Sequence, residues 1–224
     1  MNWWERVDRE EPIERAHALW GSPGLLVVRG SDATERGVVA KLIEERLGES
    51  GQCARGIDTS YGAPLAGALL DVWSKLAPHE PGTIPDWVRY AGRPVPELCR
   101  RLADYQATQH RPGAVVLEEV DSTDPLGPVA VDALRQLAQR TKLPVVVTSR
   151  EESHTRWLPG AAVDGISIVG LRPFHAREVS ECLQRFRPDL SFDERRRLIE
   201  NARAGAAADA IQPLNAYMVL RAAA

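Results

Sequence analysis

Lysine is nearly absent from this chain. Of 28 basic side chains only Lys41, Lys75 and Lys142 are lysines, so chemistry that needs an ammonium group has three candidates, and the other 25 bases are arginines. Acids outnumber bases, 31 to 28, giving a formal net charge of −3 over 224 residues. A nucleic-acid partner is therefore not expected, and the abundance of arginine and alanine fits a GC-rich coding bias better than a basic binding face. Cysteine is scarce as well: Cys53, Cys99 and Cys182 are odd in number and show no CxxC spacing, which excludes a disulfide framework and a zinc ribbon and predicts small buried apolar residues. Long apolar runs are missing. None approaches the roughly 20 residues of a membrane-spanning helix, and the opening MNWWERVDREEP sets acids where a signal peptide carries its apolar core, so the expectation is a cytoplasmic protein without a membrane partner. The five histidines (His17, His79, His110, His154, His175) show no HExxH or i, i+4 pairing, and no serine sits in G-x-S-x-G; these gaps argue against zinc hydrolysis and acyl-enzyme chemistry. The six tryptophans, at 3, 4, 20, 73, 87 and 157, form no stripe, and Trp3 and Trp4 are expected to pack on a sheet or a partner.

What is present is an alternation of strand-like and helix-like segments. Ile13, Ala16, His17 and Trp20 share helical spacing in a helix over Arg9 to Trp20, with Pro12 in its first turn. LLVVRG (Leu25 to Gly30) is short, apolar and bounded by turn residues, the pattern of a strand covered on both faces. Val38, Val39, Leu42, Ile43 and Leu47 predict a helix over Gly37 to Leu47, ended by Gly48. Pro64 to Leu76 is a further helix, with Leu65, Leu69, Val72, Trp73 and Leu76 on one stripe, and the Pro- and Gly-rich run from Pro78 to Pro96 is a surface excursion. Then follow a helix over Glu97 to Gln109, a strand over Ala114 to Val120, a helix over Val129 to Thr141, and strands over Leu143 to Arg150 and Gly165 to Gly170. Such alternation predicts a parallel α/β sheet sandwiched by helices. The rest is helical, broken at Pro188 and around Gly205. The expected organisation is an α/β core over 1–171 and a small helical subdomain over 172–224, with no internal repeat.

Ligands of open α/β sheets sit beyond the carboxyl ends of the strands. The first strand runs into Gly30-Ser31-Asp32-Ala33-Thr34-Glu35-Arg36-Gly37 and a helix, the place for a phosphate loop of pattern G-x-x-x-x-G-K-[ST]. Counted from Gly30, the second glycine is replaced by Glu35, the lysine by Arg36 and the hydroxyl residue by Gly37. Glu35 sets a negative charge beside a negative ligand, Arg36 keeps the positive charge in a planar head, and Gly37 lacks the hydroxyl that holds Mg²⁺. Lys41 lies more than a helical turn beyond Arg36, too deep to replace it. The segment also reads as an ordinary strand-to-helix turn capped by Asp32 or Thr34. The second strand ends in Glu118-Glu119, where a first acid orients Mg²⁺ and a second polarises the attacking water, or where two acids are merely solvated. The third ends in Thr148-Ser149-Arg150, which directs a hydroxyl and a guanidinium either toward a γ-phosphate or into a surface ion pair.

In this order the elements resemble the STAND class of P-loop NTPases, relatives of the AAA+ and NB-ARC modules. Asp8-Arg9-Glu10-Glu11 is similar to the opening G-R-E-x-E helix of that class, with Asp8 at the usual glycine. Leu25 to Gly37 takes the Walker A place, Val115 to Asp124 the Walker B place with its acidic loop, and Thr148 to Arg150 the sensor-1 strand end. Gly170-Leu171-Arg172-Pro173-Phe174 is similar to the G-L-x-P-L start of the helical lid, and Gln212-Pro213-Leu214 to the lid segment whose proline faces adenine. The resemblance implies a P-loop NTPase-like core, a helical lid, and a remnant nucleotide pocket made of Gly30, Ser31, Asp32, Thr34, Arg36, Gly37, Thr148 and Pro213. The three departures in the loop imply a module unable to hydrolyse ATP, with Glu118, Glu119 and Arg150 as catalytic remnants and no bound cofactor or metal. It would act as a sensing, scaffold or adaptor component in bacterial signalling or conflict systems, with an effector or sensor on a separate chain and a homo-oligomer among the options. The alternative is a working ATPase switch that uses Arg36, Glu118 and Glu119 with ATP and with Mg²⁺ on Glu118. A DNA-associated AAA+ helper would need a basic face, and the one triple run, Arg195-Arg196-Arg197, is interleaved with Asp193, Glu194 and Glu200 as a solvated helix face is.

Overall fold

A computed structural model describes residues 9–30, 33–57, 64–76, 94–109, 113–120, 128–150, 165–203, 210–211 and 213–223. The described chain divides into two compact units, Glu11–Gly170 and Leu171–Ala224, the latter joined by the N-terminal residues through Glu10. The expected excursion over Pro78–Pro96, the acidic loop over Asp121–Asp124, the break at Gly205, and Trp3, Trp4, Trp87 and Trp157 lie outside the described residues, apart from 94–96.

The larger unit is built on five strands: β1 (Leu25–Gly30), β2 (Gln52–Ile57), β3 (Gly113–Val120), β4 (Val145–Arg150) and β5 (Ile166–Gly170). They run parallel in the order β2-β3-β4-β1-β5. β1 is an interior strand, with Leu25 opposite Val145 on one side and Ile166 on the other. Its apolar residues are buried on both faces, which is why LLVV shows no alternation. Leu25, Val27, Val115, Leu117, Val145 and Val147 point into a core closed by helices α3 (Pro64–Leu76), α4 (Pro94–Thr108) and α5 (Pro128–Thr141). The intervening residues Leu26, Val28, Val116 and Val146 are equally buried on the opposite face. That face carries α2 (Ala33–Gly48), whose Val39, Ala40, Leu42, Ile43 and Leu47 are inaccessible. α1 (Glu10–Ala18) lies beside α2, linked by the Arg46–Glu14 ion pair and by His17 and Ser50 at 2.9 Å.

In this unit β2 and the start of α2 differ from the sequence expectation. β2 is not among the predicted strands, because QCARGI lacks an apolar alternation; it is an edge strand whose inward residues are the small Ala54 and Gly56. α3 presses so closely on it that a Cβ at Gly56 would stand 2.0 Å from the Ala68 carbonyl oxygen, so glycine there is a packing requirement. α2 begins at Ala33 and not at Gly37, since Glu35 in its first turn suits the positive end of the helix dipole. Thr34, Glu35 and Arg36 are thus helical residues, and only two residues, 31 and 32, separate β1 from the helix.

The smaller unit holds β6 (Phe174–His175), α6 (Ala176–Phe186), α7 (Phe192–Ala202), β7 (Ala210–Ile211) and α8 (Pro213–Ala222). β6 and β7 pair antiparallel, Phe174 opposite Ile211, a short ladder inside a segment expected to be helical. Its core is Phe174, Val179, Leu183, Ile199, Ile211, Ala216 and Leu220. Arg9 joins it across 163 residues of chain, donating to the Arg172 carbonyl at 2.8 Å and stacking 3.8 Å from the Phe174 ring centroid. A cation over a buried aromatic face contributes about 0.5–2 kcal/mol. The arginine of the N-terminal motif and the phenylalanine of the GLRPF segment are therefore one structural unit.

Candidate functional site

The α2 N-terminus converges on the carboxyl ends of β1 and β3. Arg36, one turn into the helix, is only 6% exposed. Its Nη1 donates to the Gly30 carbonyl oxygen at 2.7 Å, so the guanidinium folds back across the two-residue gap onto the end of β1. A buried hydrogen bond from a charged donor contributes roughly 1.5–3 kcal/mol. Glu35 beside it is 1% exposed, buried in the helix turn and not set in an open cradle.

Glu118 sits near the end of β3, where the strand register slips: Leu117 faces Val147 but Val120 faces Ser149, so β3 carries one more residue than β4 over this stretch. Such a bulge re-aims side chains at a strand end. The two oxygens of the Glu118 carboxylate have different surroundings. Oε2 accepts from Arg55 Nη1 at 2.9 Å, while Oε1 lies where a side chain at position 37 would begin, 2.8 Å from an ideal Cβ on Gly37. Arg55 is on β2, opposite Val116, so it lies diagonally from Glu118 on the α2 face of the sheet. Its Nε reaches Glu44 Oε2 on α2 at 2.9 Å. One guanidinium therefore ties α2, β2 and β3 together between two carboxylates. Arg55 is 22% and Glu118 12% exposed at the side chain, dry enough for the pair to matter more than a surface bridge does.

Of the residues singled out in the sequence, Gly30, Arg36, Gly37 and Glu118 are brought to this corner, and Thr148 on β4, wholly buried, pairs with Val28 of β1. Arg150 pairs with Gly30 in the ladder. Ser31 and Asp32 lie outside the described residues, as do the side chains of Thr34, Glu119, Arg150 and Pro213; Pro213 opens α8 in the smaller unit. Sequence reasoning missed Arg55 and Glu44. A lone arginine in an unrecognised edge strand carries no local sign of a partner 63 residues away.

No protein-family model and no curated protein matches the chain. Solved structures do. The Drosophila origin recognition complex bound to DNA is similar at 16% identity and a TM-score of 0.52, over 88% of this chain and 52% of that one. AMPPCP-bound DnaA from Aquifex aeolicus is similar at 13% identity and a TM-score of 0.50, over 99% of this chain and 61% of that one. This chain thus spans less than two thirds of either. A STAND protein with a tetratricopeptide repeat sensor from Pyrococcus horikoshii is 14% identical, over 92% of this chain and 31% of that one, with a TM-score of 0.49. The likeness to the first two establishes a fold, and with the parallel five-stranded sheet between helices it identifies this chain as having the AAA+ type of P-loop NTPase-like α/β fold.

Proposed function

We propose that this chain is a degenerate STAND or AAA+-like module that does not hydrolyse ATP and serves as a sensing, scaffold or adaptor component whose effector or sensor is a separate chain. The observation that carries the reading is the Arg36 guanidinium bonded to the Gly30 carbonyl across a two-residue connection. A phosphate loop works by leaving backbone N–H groups and one cation open toward the ligand; here the cation is committed to the loop's own carbonyl, and the helix begins where the cradle should be. The residues do not fit Mg²⁺ either. Position 37 offers no hydroxyl, and a side chain there would meet Glu118 at 2.8 Å, while Glu118 is already matched by Arg55. Phosphoryl transfer depends on positioned positive charge, so losing cradle, hydroxyl and free acid together removes more than any one loss would. Arg196, in the one triple basic run, pairs with Glu200 at 2.8 Å, which supports a partner that is protein and not nucleic acid.

The second reading, a working ATPase switch, is favoured by the retained Glu118 and by Thr148 buried at the neighbouring strand end. Calorimetry with Mg·ATP, paired with a phosphate-release assay, separates the two. The expected result is no binding heat at millimolar nucleotide and no release above buffer. Micromolar binding with turnover abolished by Glu119→Gln would establish the switch.

A further inference from the structure

We infer that Arg55 is the built-in counterion of this strand end: its guanidinium takes the electrostatic place that a divalent cation holds in working members of the fold. The inference rests on the inactive reading above and says what stabilises the corner instead. Glu118 Oε2 accepts from Arg55 Nη1 and Arg55 Nε binds Glu44, each at 2.9 Å. The other oxygen of Glu118 occupies the space vacated at position 37. A carboxylate so enclosed is costly unless a positive charge stands against it, and a guanidinium from the edge strand supplies one that neither dissociates nor deprotonates. Gly37 and Arg55 thus form one arrangement: the glycine admits the acid and the arginine neutralises it. The arginine also cross-links α2, β2 and β3.

Removing the arginine should uncover a cation site. Mn²⁺ alone, without nucleotide, is the probe, titrated by electron paramagnetic resonance against the parent chain, Arg55→Gln and Arg55→Lys. The parent and Arg55→Lys should bind no Mn²⁺ at this corner below millimolar concentration. Arg55→Gln should bind one ion at least about tenfold tighter than the parent, abolished by adding Glu118→Gln. Stoichiometric tight binding by the parent, or a folded Arg55→Gln chain that binds no better than the parent, overturns the inference. If Arg55→Gln fails to fold, the double variant Arg55→Gln with Glu118→Gln decides: a chain that folds again supports the counterion, because the uncompensated carboxylate is gone, and one that stays unfolded overturns it. Because no nucleotide enters these measurements, their failure is distinct from ATP binding by the parent chain, which overturns the proposed function.

Discussion

Glu118 is one methylene longer than the aspartate that holds Mg²⁺ in P-loop enzymes, and that length lets its carboxylate reach both Arg55 and the space above Gly37. Arg36, Gly37 and Glu118 were legible in the sequence as candidates, and the structure brings them to one corner. Their contacts were not, because Arg36 turns back on Gly30 and Arg55 enters from an edge strand with no apolar signature. Of the cysteines, expected to be buried, Cys99 and Cys182 are buried and Cys53 is half-buried. Burial pushes the Cys53 thiol up to about 12, helped by the Glu44 carboxylate, burial does the same for Cys99, and Cys182 is pushed up to about 11 by burial, partly offset by Arg185. Since only the thiolate is nucleophilic, alkylation by iodoacetamide at pH 8 should be about a hundredfold slower or more in the native protein than in guanidinium. Mass spectrometry of the labelled protein checks this, and a fast-reacting native thiol would contradict it.

At the level of elements, α7 is secured by a reciprocal cap. Ser191 Oγ accepts from the Glu194 N–H at 3.3 Å, and Glu194 Oε2 accepts from the Ser191 N–H at 2.8 Å. Ser191→Ala should therefore destabilise the smaller unit by about 1 kcal/mol, seen as a lower urea midpoint, while Ser191→Asp should recover most of the loss. Helices with strong apolar stripes, α3 and α5, appear close to their expected bounds, because one face buries against a sheet and the period follows. β1 and β4 were visible for a different reason, being short valine-rich runs covered on both sides. β2 failed to show itself because its inward positions are small, to admit α3 at close range. The slip in β3 at Glu118 was equally hidden, since a bulge is defined by the partner strand and β4 lies 25 residues further along the chain or more.

At the scale of the molecule, several arginines among the described residues pair with carboxylates whose pKa they lower. Hydrogen bonds from Arg100 and Arg101 hold Glu97 down at about 2, against 4.5 ordinarily. Arg135 and Gln136 lower Asp132, and Arg187 lowers Asp189. Burial opposes ionisation of Glu178, but Arg172 and the His175 N–H more than offset it. A carboxylate whose folded pKa is depressed contributes stability above its unfolded value and loses it as pH falls toward the folded one. Stability should thus be level from neutrality to about pH 5 and decline between about 4.5 and 2. Glu97→Gln should lower the urea midpoint at pH 7, with the difference from the parent shrinking toward pH 2 and also at high salt, because these groups are exposed and screened. A difference that grows on acidification would show the sign to be wrong. The sequence by itself determined the parallel α/β architecture, the scarcity of lysine and the candidate residues at the carboxyl ends of the strands, because apolar periodicity and residue chemistry are local properties. Tertiary structure alone decided that Arg36 closes on Gly30, that Gly37 makes room for Glu118, that Arg55 neutralises it, and that Arg9 belongs with Phe174. Each of these is a pairing across strands or between distant segments, and the physical quantities that fix such pairings, register and burial, are set only when the sheet and its helices pack.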